Sequence, residues 1–227
     1  MKKLVSFIPF LLGIAVIVLW RIFDDSINYY LISVILLILS ILPFFISFES
    51  SKPSAAELTL IASLVAIAVV SRGAFYLIPQ VKPIGAVVVV SGAVLGGKRG
   101  YLIGSMSAFI SNFIFVQGIW TPFQMAALGL VGLVSGIVFS KIKASRLWLS
   151  IVGFLLCFAV YGVIVDTCSV LVMSGEYSLS SVLPIYLAGV PFNLVFGITT
   201  AIFLALFGES FIKKCRRIII KYDIIEV

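Results

Sequence analysis

Leu147-Trp148-Leu149-Ser150-Ile151-Val152-Gly153-Phe154-Leu155-Leu156-Cys157-Phe158-Ala159-Val160-Tyr161-Gly162-Val163-Ile164-Val165 runs without a single charged residue. A helix crosses the hydrocarbon core of a bilayer on about 20 predominantly apolar residues, so this run is a span rather than a soluble core helix. Working outward from it, the same criterion predicts spans over 4–20, 28–48, 57–79, 84–96, 100–117, 122–140, 147–172 and 180–211. The chain has 227 residues, 62% of them hydrophobic, with a mean hydropathy of +1.27. Eight short-looped spans use nearly all of it, which predicts an all-α, polytopic membrane bundle. No length remains for a soluble catalytic or nucleotide-binding domain.

Charge orients the bundle. Lys2, Lys3, Lys52, Lys98, Arg99, Lys141, Lys143, Arg146, Lys213, Lys214, Arg216, Arg217 and Lys221 fall at the N-terminus or in every second connection. The other side holds only Arg21 and Lys82, and Arg72 lies within a span. Basic residues concentrate in cytoplasmic loops, so the first side is predicted to be cytoplasmic, with both termini inside. The net charge of +7 follows from those loops and calls for no nucleic-acid partner. The run Lys213-Lys214-Cys215-Arg216-Arg217 is expected to meet membrane lipid headgroups.

Several chemistries are excluded. The chain has no histidine, which removes His-based triads and His-ligated metals. Its three cysteines form no CxxC pair, so neither catalytic nor metal-binding residues are assigned and no cofactor is expected. The stretch Gly92-Ala93-Val94-Leu95-Gly96-Gly97-Lys98-Arg99 nearly spells a phosphate loop. It fails where a hydroxyl should meet magnesium, because Arg99 stands there, and it follows a membrane segment. Lys2-Lys3 before an apolar run resembles a signal peptide, but no small-residue cleavage site follows, so a retained first helix is expected.

The seam Glu49-Ser50-Ser51-Lys52-Pro53-Ser54 divides the chain into two extra N-terminal transmembrane helices (1–54), a six-helix core (55–212) and a basic cytoplasmic tail (213–227). In lipid, helices associate through close backbone approach and interhelical hydrogen bonds. The core carries the small-residue stripes this requires: Gly100, Gly104 and Ala108; Gly132 and Gly136; Ala62 and Ala66. Segment 84–96 is short for a span. Such segments often border a transporter's binding region, though a tilted helix in a thinned bilayer fits as well.

Polar residues of the core gather at the outer side. Arg72 is placed about 10 Å below the external end of its span, with Tyr76 one turn on along the same face. Asn112 extends the glycine stripe outward, and Gln117, Trp120, Thr121 and Gln124 occupy the next external connection. Asp166, Tyr186 and Asn193 lie in the outer parts of the last two spans. A charged side chain at a helix centre costs about 2.5–3.5 kcal/mol on insertion scales, so an Arg72–Asp166 ion pair is one expectation and a ligand site is the other. The two are compatible. Aromatic faces beside amide groups suit a large, neutral, amide- or ring-bearing ligand better than a small ion.

The six-helix core resembles the membrane-embedded substrate-binding S components of energy-coupling factor (ECF) vitamin transporters. Ala62-x-x-x-Ala66 stands where that family carries an AxxxA contact for the transmembrane coupling subunit. Gly118-Ile119-Trp120-Thr121-Pro122-Phe123-Gln124-Met125 is similar to the GxWTPxQM loop of a subgroup associated with cobalamin or related corrinoids. The two N-terminal helices depart from the family's six-helix pattern. The resemblance implies a multi-pass protein of the bacterial cytoplasmic membrane that binds a vitamin from outside, a corrinoid first among the candidates. It would then dock on a coupling subunit (the T component) driven by two cytoplasmic ATPases. Of the competing classes, a membrane-embedded enzyme needs paired carboxylates, histidines or a cysteine nucleophile, and only Asp166 is suitable. A stand-alone secondary transporter favours inverted repeats and several intramembrane carboxylates, which are not evident.

Overall fold

A computed structural model describes residues 35, 42, 46, 48, 53–118, 120–173 and 178–224. The predicted span 4–20 lies outside the described residues, as does 28–48 apart from Ile35, Leu42, Ile46 and Phe48, which are helical. Between residues 53 and 224 six helices follow one another, with no strand among the described residues: α1 (Ala55–Ala74), α2 (Ile84–Leu95), α3 (Gly97–Ile114), α4 (Thr121–Phe139), α5 (Arg146–Met173) and α6 (Leu179–Lys221). The all-α membrane bundle is therefore observed. α1, α4, α5 and α6 are each long and apolar enough to cross a bilayer.

Local sequence sets the ends. Ser54 caps α1 by accepting a hydrogen bond from the Glu57 amide at 3.1 Å, a contact generally worth about 1 kcal/mol. α1 stops at Ala74, five residues short of the predicted boundary at 79, and the chain turns through 75–83 to Pro83. Gly96, at φ +83°, ends α2 and lets α3 begin at the next residue, a backbone geometry that a side chain would strain. Pro122 in the first turn of α4 costs no hydrogen bond there, because helix-initial amides have no intrahelical partner.

The short α2 is the axis of the bundle. Ile84–Ser91 are all buried, as are Gly92 and Leu95, so the helix is apolar all round because protein surrounds it. Its length reflects burial among α1, α3, α4 and α6. α3 and α4 make the closest pair. A Cβ added at Gly100 would stand 2.5 Å from the Gly132 carbonyl oxygen, and one at Gly132 or Gly136 would strike the backbone of Gly100 or Gly97. The two glycine stripes thus face each other.

α5 contains a π-helical stretch, Leu156–Tyr161, and α6 contains another, Leu204–Gly208. π-bulges occur disproportionately at functional sites. α6 spans 43 residues, about 65 Å at 1.5 Å per residue, twice the hydrocarbon thickness. It runs unbroken past the predicted boundary at 211 and through most of the expected basic tail. Cys215 and Ile219 are buried there in one cluster with Leu60, Leu64 and Leu102, and Ile212 is buried in the central core, while Lys213, Lys214, Arg216, Arg217 and Lys221 are exposed. At the same end Arg99 pairs with the buried Glu57, tying α3 to α1; it is the sole ion pair among the described residues.

Candidate functional site

Three helix ends and two turns meet at the end of the bundle opposite the basic residues. α1 delivers Arg72 in its last turn, α3 delivers Ser111 and Asn112, and α4 begins with Thr121 and Gln124. Arg72 Nη1 donates to Ser111 Oγ at 2.6 Å and to Asn112 Oδ1 at 2.8 Å. Asn112, fully buried, uses its amide nitrogen to donate to Thr121 Oγ1 at 3.0 Å and Gln124 Oε1 at 2.9 Å. Thr121 Oγ1 also accepts from the Gly118 amide at 3.1 Å, which closes the turn before α4. The network is continuous from α1 to α4. Buried polar groups in membranes are costly unless paired, so this chain of bonds also fixes the three helices relative to one another.

Aromatic rings cover the network. The Arg72 guanidinium lies 4.9 Å from the centroid of Phe115, within cation–π range, and Tyr76 stacks on the same ring at 5.1 Å. Tyr76 is therefore brought near Arg72 through Phe115 rather than by helical spacing, because α1 has ended before it. Tyr76 and Trp120 are exposed. Both turns hold a non-glycine residue at positive φ, Gln80 at 60° and Val116 at 75°. For β-branched Val116 that is a genuine outlier, tolerated only where surrounding structure enforces it.

A second polar group joins α5 to α6. Asn193 Nδ2 donates to Asp166 Oδ2 at 2.7 Å, and Thr167 Oγ1 lies 2.8 Å from the Tyr186 hydroxyl. The expected Arg72–Asp166 ion pair is not formed. Each charged group is held by neutral partners, Asp166 by an amide and Arg72 by a hydroxyl and an amide. Tyr161, at the end of the α5 π-helical stretch, packs its ring against Phe196 of α6, with centroids 4.7 Å apart.

The predicted residues thus fall into two sets. Arg72, Asn112, Thr121 and Gln124 interlock, with Tyr76 beside them; Asp166, Asn193 and Tyr186 form the α5–α6 set. Gln117 joins neither, donating instead to the Phe109 carbonyl at 3.2 Å. Ser111, Phe115, Tyr161 and Lys82 were not anticipated. Ser111 could have been found as the neighbour of Asn112, whereas the π-helical placement of Tyr161 has no evident sequence signal. Lys82, in the turn before α2, donates to Gln80 Oε1 at 3.0 Å. Burial, with the Arg72 charge nearby, lowers its pKa to about 8.

An apolar cavity of about 320 Å3 lies elsewhere, between α1 and α6 over α2. Ile67, Phe75, Val87, Phe203, Phe207 and Lys214 are among the residues that line it. It contains none of the predicted polar site residues.

Between residues 53 and 224 the described chain is a bundle of six helices with a polar side-chain network at one end. The profile of the family described as ECF-type riboflavin transporter, S component, matches residues 52–213, most of the chain. The chain belongs to this family. It is accordingly a substrate-capture subunit of an ECF transporter for a vitamin, a multi-pass membrane protein and a transporter component rather than an enzyme by family. No curated protein and no solved structure matches it significantly.

Proposed function

We propose that this chain captures a ring-bearing vitamin at the outer ends of α1, α3 and α4. It then passes the vitamin on by docking through α1 on a coupling subunit driven by two ATPases. The observation that carries the reading is the Arg72–Asn112–Gln124 network capped by Phe115 and Tyr76, with exposed Trp120 at the start of α4. Donors and acceptors lie there beside exposed aromatic faces, the composition that small-molecule sites use to orient a planar ligand. A flavin leads, supported by the family description and the aromatic cap. A corrinoid is the second reading, favoured by the Gly118–Met125 stretch.

Gently purified protein should show which is right, since flavins are yellow and corrinoids red. With the bound compound as ligand, Trp120→Ala is expected to weaken binding at least tenfold, about 1.4 kcal/mol, with little change in thermal stability. Trp120 is exposed and anchors no buried group, so a loss of stability without a loss of affinity would remove it from the site.

The orientation we propose has the polar network outside and both termini in the cytoplasm. Cys157, Cys168 and Cys215 are buried, which leaves a quiet background for thiol labelling. A membrane-impermeant maleimide should label Leu77→Cys in intact cells and Lys141→Cys only in opened cells. The reverse pattern would invert the bundle and place the network inside.

A further inference from the structure

We propose that the crevice between α1 and α6 holds one acyl chain of an anionic membrane lipid, with the lipid phosphate at Lys214. The inference is independent of vitamin capture, because the crevice shares no residue with the polar network. It is the apolar cavity of about 320 Å3 over α2, a size at which small-molecule sites occur. Ser71 lines it, but its hydroxyl is spent on the Ala68 carbonyl at 2.7 Å. Water finds too few partners against such walls, so the space suits hydrocarbon.

The π-helical stretch of α6 forms part of the wall. Leu204, Phe207 and Gly208 of that stretch line the crevice, and π-bulges concentrate at functional sites. At one end Phe75 and Phe203, both lining residues, meet edge to face with ring centroids 5.3 Å apart. Beyond Lys214, Cys215 and Ile219 join Leu60 and Leu64 in one buried cluster, so the chain closes the crevice at both ends. From Phe203 to Lys214 the lining runs about 16 Å along α6 at about 1.5 Å per residue, half of a hydrocarbon core of roughly 30 Å. That is the depth of one leaflet. Between the two closures Ile67 and Phe207 are 44% and 57% exposed, which leaves the crevice open at its side.

Charge selects the lipid. Lys214 is the one charged side chain among the described lining residues, and no described acidic group pairs with it. Ser210 lines the crevice one turn before Lys214 on the same face of α6, and Arg217 and Lys221 continue that face beyond it. An acyl chain lying along Val87 and Val90 would bring its phosphate to this row of cations. Basic pockets between spanning helices bind anionic headgroups in this way, and a lysine stem can lie on apolar surface while its ammonium meets the phosphate. A spanning helix fits less well as occupant. Being about 10 Å across and roughly 30 Å long, it would have to part both closing contacts.

Native mass spectrometry of the full chain in detergent tests this, with dioleoyl phosphatidylglycerol or dioleoyl phosphatidylcholine added at equal concentration. One phosphatidylglycerol should be retained about tenfold more than phosphatidylcholine. Lys214→Gln, at an exposed position, should cut that retention about fivefold, the effect of one cation near a lipid surface. Lys213→Gln, which is exposed but does not line the crevice, should leave it nearly unchanged. Equal losses in the two variants would reduce the effect to general surface charge and overturn the proposal. Equal retention of the two lipids would do the same.

Two further probes separate tail from headgroup. Glycerophosphoglycerol, the same headgroup without acyl chains, should not displace the retained lipid; displacement would make this a headgroup site and overturn the crevice as its seat. Ile67→Trp sets a larger ring at the exposed mouth and should cut retention of phosphatidylglycerol about as far as Lys214→Gln does. Retention that Ile67→Trp leaves unchanged overturns the proposal. A lipid-free dimer that Ile67→Trp dissociates would assign the crevice to a second copy of this chain and overturn it as well.

Discussion

Tryptophan at both Ala62 and Ala66 is expected to reduce vitamin uptake to background while ligand affinity stays within about twofold of wild type. Both alanines are exposed on α1, one turn apart, whereas Leu60, Ile61, Leu64 and Val65 turn the other face into the bundle. Bulk at 62 and 66 therefore points away from the described core. The neighbouring hydroxyls are already spent along the helix, Thr59 on the Ala55 carbonyl and Ser63 on the Thr59 carbonyl. What remains is a smooth strip of small side chains near the basic end, suited to close approach by a second helix in lipid, where association depends on packing rather than on apolar burial. Uptake of labelled vitamin, co-purification with the ATPases and a binding titration separate the possibilities. Undiminished uptake would make the strip an ordinary lipid-facing surface.

Gly132→Leu is expected to eliminate folded protein, read as loss of the monodisperse peak in size-exclusion chromatography. The first added carbon would sit on the Gly100 backbone, and neither main chain can yield without separating α3 from α4. Overpacking a core typically costs 1–3 kcal/mol, and a clash with backbone on both sides belongs at or above the upper end. Gly73→Ala is the control, since a Cβ there meets only the Phe115 ring at an ordinary 3.5 Å. Normal yield of Gly132→Leu would mean that α3 and α4 are not held by glycine contact.

The polar network had partly shown itself in the residues. Arg72 stands out because a charge in lipid is costly, Asn112 because it extends a helical stripe, and Thr121 and Gln124 because they share an external turn with Trp120; all but Trp120 interlock. Asp166 stands out on the same ground as Arg72, yet it accepts from Asn193. Cost says that each charge needs a partner; it does not say which one. The apolar run to Pro79 predicts that Tyr76 shares a helical face with Arg72. Instead the helix ends at Ala74, and stacking on Phe115 restores the proximity by another route. Apolar content marks a membrane segment more readily than it marks where the helix within it ends.

By itself the sequence determined that this is an all-helical membrane protein, where its polar groups cluster along the chain, and which small residues recur at helical spacing. Those properties follow from bilayer thickness and helical period, which act on local composition. Tertiary structure alone decided that the short α2 is the buried axis, that Arg72 joins α1 to α3 rather than to α5, and that Asp166 meets Asn193. Each of these depends on which helices become neighbours, a choice set by the fit of glycine stripes and turns distant in sequence, and no local window of residues encodes it.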